Sequence, residues 1–495
     1  MASIAQSAIA NLKVAGLAEI LYVPGQQDYK TREESFWSLT PRLEPWAIVQ
    51  PRNTEEVSKA VKALVNTTDC KFAVLCDNHL EISLTADYVE YSGGHMSWAG
   101  AGNNIEEGMT IDLGLMTKTT YNPETKLASL QPGGRWTDVY ADVEKHGVMV
   151  AGGREGLVGV GGLLTGGGLT FYTCRDGWGC DQVVNYEVVL ADGSIVEANN
   201  TTNPDLFRVL KGGHNNFGIV TRFDMKTFKA QDIWDGNVVH SKVSAKEIIE
   251  AYVDFQTNLE NNPDSHVLAM WVYMPQTPDY FINMVLTGLD GVENTKSLQK
   301  FLAIPGQQNM KTKSVATKVA EFLIPSGRYD SWLTLTFKLD GRIMHRAATA
   351  FEHLIEELRK SIPDGNFGIS MVFQPLLASW TQHSIDKGGN MLGLERLPGN
   401  CVVLVVATEV GTLELSRNVV APAMKAMFDD LESYATSLDK NADFLYLNYC
   451  GASQDPLPTY GEENIKKMKE ASAKYDPTGV FQERVPGGFK ISKVK

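Results

Sequence analysis

The chain has 495 residues, of which 43% are hydrophobic and 21% charged, and its formal net charge at pH 7 is −14. This length predicts two or three domains, and the composition is that of a globular protein rather than a disordered one. The acidic balance argues against binding to nucleic acid or to an anionic membrane surface. No apolar stretch reaches the roughly 18 residues of a membrane span. The six cysteines form no CxxC pair, so no metal site is predicted.

Residues 1–230 have the pattern of an α/β domain. The stretch WAIVQPRNTEEVSKAVKALVN predicts a buried strand followed by a helix, which Asn53 and Glu56 begin as a capping box. GMTIDLGLM and LASLQPG are typical of strands, and RWTDVYADVEKHG predicts an amphipathic helix that ends at Gly147. A β-hairpin is predicted around Asp192-Gly193 in YEVVLADGSIVEA.

Three glycine-rich segments interrupt this half of the chain. YSGGHMSWAG, residues 91–100, offers backbone N–H groups to an anion next to His95. AGGREGLVGVGGLLTGGG, residues 151–168, has a leucine where GxGxxG needs its third glycine and no lysine for a Walker loop, which excludes the common nucleotide loops. LKGGHNNFGIVTRF, residues 210–223, is the third. The segments predict a long ligand such as a dinucleotide, and the alternative for 151–168 is a tight bend in which glycines allow close packing.

Residues 231–440 alternate long helices, such as SAKEIIEAYVDFQTNLE and RAATAFEHLIEELRKS, with strands such as SWLTLTFKL and CVVLVVATEV. This pattern predicts an α+β layer with helices on one face of a sheet. Residues 441–495 contain a predicted strand, DFLYLNY, and a charged helix, GEENIKKMKEASAKY.

Taken in chain order, the motifs resemble those of one family: SGGH, TIDLGLM, QPGGRWTDVY, VGVGGLLTGGG, VVLADGSIV, NPDLFRVLKGG, NNFGIVTRF, YLNY and YDPTGVFQ. The chain is similar to the fungal berberine-bridge-enzyme-like FAD-linked oxidases of the vanillyl-alcohol-oxidase superfamily. The resemblance implies an α+β fold. It places a PCMH-type FAD-binding domain of two α/β subdomains over 1–230. A substrate domain of antiparallel sheet covered by helices follows over 231–440, and a berberine-bridge-like segment over 441–495 returns to the FAD domain.

The resemblance also implies how FAD is held. His95 is expected to form a covalent bond to the flavin 8α-methyl group, while the backbone of Ser92, Gly93 and Gly94 binds the pyrophosphate. Many relatives have a second link from a cysteine whose position falls on Glu155 here, so a single link is predicted. Val158 falls at the family's oxygen gate and resembles the oxygen-permissive enzymes. The remaining implied cofactor positions are Gly159, Gly161, Gly162, Gly168, Gly218, Ile219, Val220 and Asn448.

The implied reaction passes a hydride from a substrate C–H bond to flavin N5 and a proton to a base, after which O₂ reoxidises the flavin and gives H₂O₂. In a strand, Tyr446 and Asn448 would share a face, so Tyr446 is predicted to face the substrate as the base. Gln374 is predicted to contact the substrate. The alternatives are a core aromatic for Tyr446 and an ordinary buried amide for Gln374. Tyr449 is interpreted as structural, and His214 as loop variation.

One stretch departs from the family pattern. LCDNHLEISLTADYVEY, residues 75–91, stands where relatives run almost directly from a strand such as KFAV into SGGH. Two explanations are open: a surface excursion, whose closure costs little entropy, or translated sequence of an unspliced intron. If the segment disrupts the site, the protein is a flavin-free, non-catalytic homologue.

The function predicted from the sequence is that of an FAD-dependent oxidase acting on a small molecule with O₂ as acceptor. A secondary-metabolite alcohol or phenol is the favoured substrate, and oxidative cyclisation and carbohydrate oxidation are the alternatives. Trp271, Tyr273, Trp332 and Trp380 fit either kind of pocket. No signal peptide is recognised, which favours an intracellular location. The oligomeric state stays open.

Overall fold

The computed structural model describes residues 2–76, 94–324 and 327–495. In this part of the chain the strands are β1 (Leu21–Tyr22), β2 (Ala47–Val49), β3 (Phe72–Leu75), β4 (Met109–Asp112), β5 (Thr119–Asn122), β6 (Leu127–Leu130), β7 (Val148–Met149), β8 (Val183–Val189), β9 (Ile195–Asn199), β10 (Ile219–Lys226), β11 (Phe228–Lys229), β12 (Ile233–Ser241), β13 (Ser265–Tyr273), β14 (Phe281–Gly288), β15 (Gln307–Lys313), β16 (Tyr329–Lys338), β17 (Phe367–Leu376) and β18 (Cys401–Val410). The α-helices are α1 (Ala2–Val14), α2 (Gln27–Glu34), α3 (Thr54–Val65), α4 (Trp136–Glu144), α5 (Val160–Thr165), α6 (Thr173–Asp176), α7 (Pro204–Val209), α8 (Ala245–Thr257), α9 (Gln299–Ala303), α10 (Val315–Glu321), α11 (Gly341–Ser361), α12 (Trp380–Asp386), α13 (Leu413–Leu415), α14 (Ala421–Ser437) and α15 (Glu462–Tyr475).

A small four-stranded sheet forms the first layer, in the order β1-β2-β4-β3. The strands β2 and β3 run parallel to β4, and β1 is antiparallel to β2. Helix α3 begins where the Asn53 side chain accepts a hydrogen bond from the Glu56 backbone N–H, so the Asn53 half of the predicted capping box is confirmed. The Glu56 carboxylate accepts from the Arg52 backbone N–H instead of that of Asn53. Its apolar face packs in one buried cluster with the sheet residues Val49, Met109 and Ile111.

A second sheet in this half has five strands in the order β5-β6-β10-β8-β9. All its pairings are antiparallel. The hairpin predicted around Asp192-Gly193 is confirmed, because β8 and β9 pair across it. Gly193 has a φ of +75°, which glycine adopts without strain.

The third sheet is the largest, with seven strands in the order β15-β12-β14-β13-β17-β18-β16. Every pairing in it is antiparallel. Helices cover one face, where the rings of Trp271 and Phe373 pack together and Tyr252 of α8 contacts Phe373. The fold class predicted from the sequence, an α+β chain with helices on an antiparallel sheet, is confirmed.

Two sequence expectations have different outcomes. DFLYLNY is not a strand: Leu447–Tyr449 form a 3₁₀ turn and the preceding residues are irregular. The charged helix after it is present as α15. The boundaries at 230 and 440 stay a prediction. Most of the 75–91 insertion lies in residues 77–93, outside the described residues, and so do Ser92 and Gly93.

Candidate functional site

His95 has an unusual environment for a buried imidazole. It follows Gly94, whose φ is +63° and whose Cβ, if present, would lie 3.0 Å from the Asn103 amide. The imidazole stacks on Trp37 with ring centroids 4.7 Å apart. Neither ring nitrogen has a hydrogen-bond partner within the described part of the chain. A buried polar atom without a partner is costly, which indicates that a ligand completes this position.

Glu155, at the position where many relatives have a cysteine, lies beside this ring. Its Oε2 is 3.8 Å from His95 Nε2 and accepts hydrogen bonds from the backbone N–H groups of Leu157 and Val158. Burial raises the pKa of Glu155 to about 7. Burial and the nearby Arg135 charge lower the pKa of His95 to about 3. At neutral pH the imidazole is therefore neutral, and the contact is not an ion pair.

Trp136 determines where the backbone passes at Gly152 and Gly153. A Cβ on Gly152 or Gly153 would lie 1.9 or 2.4 Å from Trp136 ring atoms, so only glycine allows the backbone to pass here. Past this point the side chains diverge, with Glu155 directed to His95 and Arg154 to the large sheet. The density of glycine in this segment therefore serves close packing on Trp136 as well as any ligand.

Arg154 joins side chains from three other segments. Its Nη2 donates to Gln374 Oε1 at 2.6 Å and to the Tyr449 hydroxyl at 2.9 Å. Its Nη1 lies 3.1 Å from His266 Nε2. The Tyr449 hydroxyl is 3.2 Å from both the Oε1 and the Nε2 of Gln374. The Tyr449–Gln374–Arg154 cluster, as we call it, is a continuous hydrogen-bonded group.

The cluster borders the face of the seven-stranded sheet opposite to the helices, where Leu268, Val372 and Val405 are buried. Register places Gln374 on the same face as its strand neighbour Val372, and these residues face the same way as Met270 and Val405 in the adjacent strands. A small apolar group here comprises Leu268, Val285, Val372, Val405, Met270, Trp332 and Tyr449. A series of aromatic rings connects this face to His95. The ring centroid of Trp332 lies 5.9 Å from that of Tyr449 and 6.0 Å from that of Trp37, on which His95 stacks.

Tyr446 precedes a 3₁₀ turn, so the strand geometry expected for YLNY is wrong, although its ring packs against that of Tyr449 with centroids 4.7 Å apart. Its ring is buried, and its hydroxyl accepts hydrogen bonds from the backbone N–H groups of Gly168 and Leu169, both at 3.1 Å. The Asn448 amide donates to the same hydroxyl and to the Leu163 carbonyl. Burial raises the pKa of Tyr446 well above its ordinary value, which makes it a poor proton acceptor at neutral pH.

The predicted cofactor glycines fall into different settings. A Cβ on Gly159 or Gly161 would lie 2.8 Å from Cys76 atoms, so these two glycines allow close packing against the end of β3. At Gly162 a Cβ would meet nothing within 4 Å. Gly168 has a φ of +90° and donates to Tyr446.

The remaining predicted positions lie in sheet packing. A Cβ on Gly218 would be 2.6 Å from Val188, and the next two residues, Ile219 and Val220, pair with β8 in the five-stranded sheet. Val158 is half-buried, and its N–H is held by Glu155. The described residues include no cluster of His, Cys, Asp and Glu suited to a metal ion.

The sequence analysis does not single out Arg154, and it interprets Tyr449 as structural. The structure joins both side chains to Gln374 by hydrogen bonds. The sequence does contain a signal for Arg154. An adjacent Arg-Glu pair inside a glycine-rich loop places two charges where burial is costly, which indicates a function for them. Nothing in the sequence alone brings His266, Gln374 and Tyr449 together.

The residues fit a covalently held flavin on two structural grounds. His95 presents unpartnered, buried ring nitrogens, and Gly162 borders open space at the start of α5. A neutral imidazole has a lone pair available for a covalent bond. His95 would hold the group, which would supply redox chemistry.

Comparison with known proteins supports the same conclusion. A family model described as an FAD binding domain matches residues 86–199. The FAD-dependent monooxygenase drtC of Aspergillus calidoustus is 34% identical over 98% of this chain and 90% of its own length. The FAD-dependent monooxygenase sdcF of Emericella nidulans is 33% identical over 100% of both. Glucooligosaccharide oxidase from Acremonium strictum, which has a 6-S-cysteinyl, 8α-N1-histidyl FAD, has a TM-score of 0.76 at 18% identity and covers 98% of this chain and 99% of its own.

The chain therefore belongs to the berberine-bridge-enzyme-like family of FAD-linked oxidoreductases, and FAD is its cofactor. The resemblance read from the motifs is confirmed. Among the described residues, no helix is long and apolar enough to cross a bilayer.

Proposed function

We propose that this oxidoreductase is an oxidase of a small, largely apolar secondary metabolite, an alcohol or a phenol-type compound. The observation that carries the proposal is the Tyr449–Gln374–Arg154 cluster at the edge of an aliphatic sheet face. Side chains such as Leu268, Met270 and Val372 offer no hydrogen bonds to the hydroxyls of a sugar. They favour an apolar substrate body over a carbohydrate.

In this proposal the cluster handles the proton. Bound FAD supplies the hydride acceptor, and its reduced form returns the electrons to O₂ as H₂O₂. In this step Tyr449 acts as the phenolate, which the adjacent Arg154 guanidinium stabilises, and it accepts the proton that leaves the substrate to become the neutral phenol. Gln374 orients the phenol. Tyr449 thus takes the role predicted for Tyr446.

His95 carries the single covalent link in this proposal. Because Nε2 faces Glu155, we assign Nδ1 to the flavin bond. Glu155 in place of a cysteine supports one link rather than two. Asn448 and the predicted glycines of this loop keep their proposed roles around the cofactor, and Val158 its role as oxygen gate. These glycines are Gly159, Gly161, Gly162 and Gly168.

An acid-precipitation assay tests the link. The wild-type protein is expected to be yellow and to keep its colour in the acid pellet, with a mass increase equal to FAD on the peptide that contains His95. The His95→Ala variant should release any flavin to the supernatant. Retention of colour by that variant would refute the assignment, and a colourless wild type would support the flavin-free alternative.

Product analysis under ¹⁸O₂ tests the reaction. An oxidase releases H₂O₂ and forms a product without ¹⁸O, both in simple oxidation and in oxidative cyclisation. The structure of the product then distinguishes these two reactions. The names of the two fungal relatives favour a second candidate, a monooxygenase. Incorporation of ¹⁸O into the product without a matching yield of peroxide would establish that candidate instead.

A further inference from the structure

Arg154 is a half-buried arginine whose hydrogen-bond partners are neutral. It contrasts with Arg32, which pairs with Asp112, and with Arg175, which pairs with Asp176 and Asp264. Arg154 contacts a histidine, a glutamine amide and a phenol, and the described residues bring no carboxylate into salt-bridge contact with it.

The histidine in this group adds no charge of its own. His266 Nε2 faces the Arg154 guanidinium, so that nitrogen accepts and the proton resides on Nδ1. Burial, followed by the charges of Arg154 and Lys318, holds the pKa of His266 well below its ordinary value. With Tyr449 in its neutral form, the group therefore carries one net positive charge at neutral pH, located on Arg154.

A charge in this position favours an anionic partner. Neutral acceptors satisfy the guanidinium's hydrogen bonds, but they do not replace the solvation that a half-buried charge has lost. The planar guanidinium matches the geometry of a carboxylate or of another delocalised oxyanion. The surface next to it, formed by Leu268, Met270 and Val372, is apolar. A ligand suited to both has an anionic oxygen at one end and an apolar body.

We propose that Arg154 is an anion-binding residue of the substrate site, and that the substrate is an oxyanion, a carboxylate or acidic phenolate, on an apolar or aromatic skeleton. The inference rests on the proposed function only in taking the sheet face that bears Gln374 and Val372 as the substrate site. It names a substrate class that excludes neutral sugars and neutral alcohols.

Two probes of equal shape test this class with the flavin-loaded protein. The probes are 2-naphthoate and its neutral analogue 2-naphthamide, and their affinities are measured by titration calorimetry at neutral pH. We expect the wild type to bind the carboxylate at least about 10-fold more tightly than the amide. Arg154→Gln should lose about 100-fold in affinity for the carboxylate, the usual scale for removing one partner of a desolvated charge pair, and little for the amide.

Two further variants control for folding and for net charge. Arg154→Lys keeps the charge but loses the planar fork, so its affinity should lie between those of the wild type and Arg154→Gln. Arg346→Gln removes the same charge from α11, where Arg346 pairs with Asp430 on the surface, and should bind both probes as the wild type does. Circular dichroism and flavin content establish that each variant is folded.

The result that would overturn the proposal is equal affinity of the wild type for the two probes, or a preference for the carboxylate that survives in Arg154→Gln. Failure of both probes to bind at millimolar concentration would also contradict it. Binding is read without turnover. A protein that binds 2-naphthoate through Arg154 but releases no peroxide in the substrate assays would refute the oxidase function alone. A protein that releases peroxide but does not bind 2-naphthoate through Arg154 would refute this inference alone.

Discussion

Two adjacent side chains of opposite charge, Arg154 and Glu155, serve different halves of the site. Arg154 belongs to the Tyr449–Gln374–Arg154 cluster, and Glu155 lies beside His95. One short loop therefore connects the proposed flavin link with the proposed substrate surface. Its geometry depends on Gly152 and Gly153, since a larger residue at either position would overlap Trp136.

The raised pKa of Glu155 predicts a pH-dependent contribution to stability. A carboxyl group whose folded pKa is about 7 stabilises the fold below its unfolded pKa and loses that contribution as pH rises to about 7. Glu155→Gln removes this titration. The free energy of unfolding of the variant, relative to wild type, should therefore rise between pH 5 and pH 8, by up to about 1.4 kcal/mol for each unit of pKa shift.

Urea unfolding of the flavin-free proteins at both pH values measures this difference. Only the change with pH is diagnostic, because Gln also lacks the second oxygen that accepts from Ile324. A difference that stays constant between pH 5 and pH 8 would contradict the raised pKa.

The two tyrosines of YLNY should respond oppositely to loss of their hydroxyls. Tyr449→Phe removes the proposed proton acceptor and should lower kcat by about 100-fold, with little change in stability. Tyr446→Phe leaves the N–H groups of Gly168 and Leu169 without an acceptor and should cost about 2 kcal/mol of unfolding free energy. The folded fraction of Tyr446→Phe should retain kcat. A loss of kcat in Tyr446→Phe alone would restore the original assignment.

At the scale of elements, the local sequence pattern predicts the strands of the large sheet correctly, but it does not predict the conformation of YLNY. The alternating and β-branched runs of β13, β17 and β18 form strands because neighbouring strands pair with them over their length. YLNY has comparable β propensity, but its backbone forms a 3₁₀ turn in which the hydroxyl of Tyr446 caps the chain near Gly168. Tertiary contacts override strand propensity where no strand partner is available.

Alanine substitutions in the glycine-rich loop separate packing from ligand contact. Gly153→Ala forces a Cβ to within 2.4 Å of Trp136 and should cost about 3 kcal/mol of unfolding free energy. Gly162→Ala is the matched control, because its Cβ meets nothing and it lies in α5, so flavin-free stability should not fall. Chemical denaturation of the flavin-free proteins measures both. Equal losses in the two variants would show that packing on Trp136 is not the reason for Gly153.

At the scale of the whole molecule, the C-terminal residues pack against the first sheet layer. The Arg484 guanidinium donates to backbone carbonyls of Leu64, Val65 and Cys70 at the end of α3 and before β3. Asn216 donates to the Phe489 carbonyl. Residues almost 420 positions apart thus meet, and such contacts are invisible to local sequence patterns.

The sequence by itself determined the elements, the fold class and the flavin chemistry. Periodic apolar positions specify α3, α8, α11 and the sheet strands locally, and glycine density with a histidine in SGGH marks a ligand segment. Tertiary structure alone decided the proposed substrate side, where Arg154, His266, Gln374 and Tyr449 come from four separate segments. The physical reason is that side-chain direction in a loop or a 3₁₀ turn depends on what packs against the backbone, and here Trp136 and the buried Tyr446 hydroxyl set that direction.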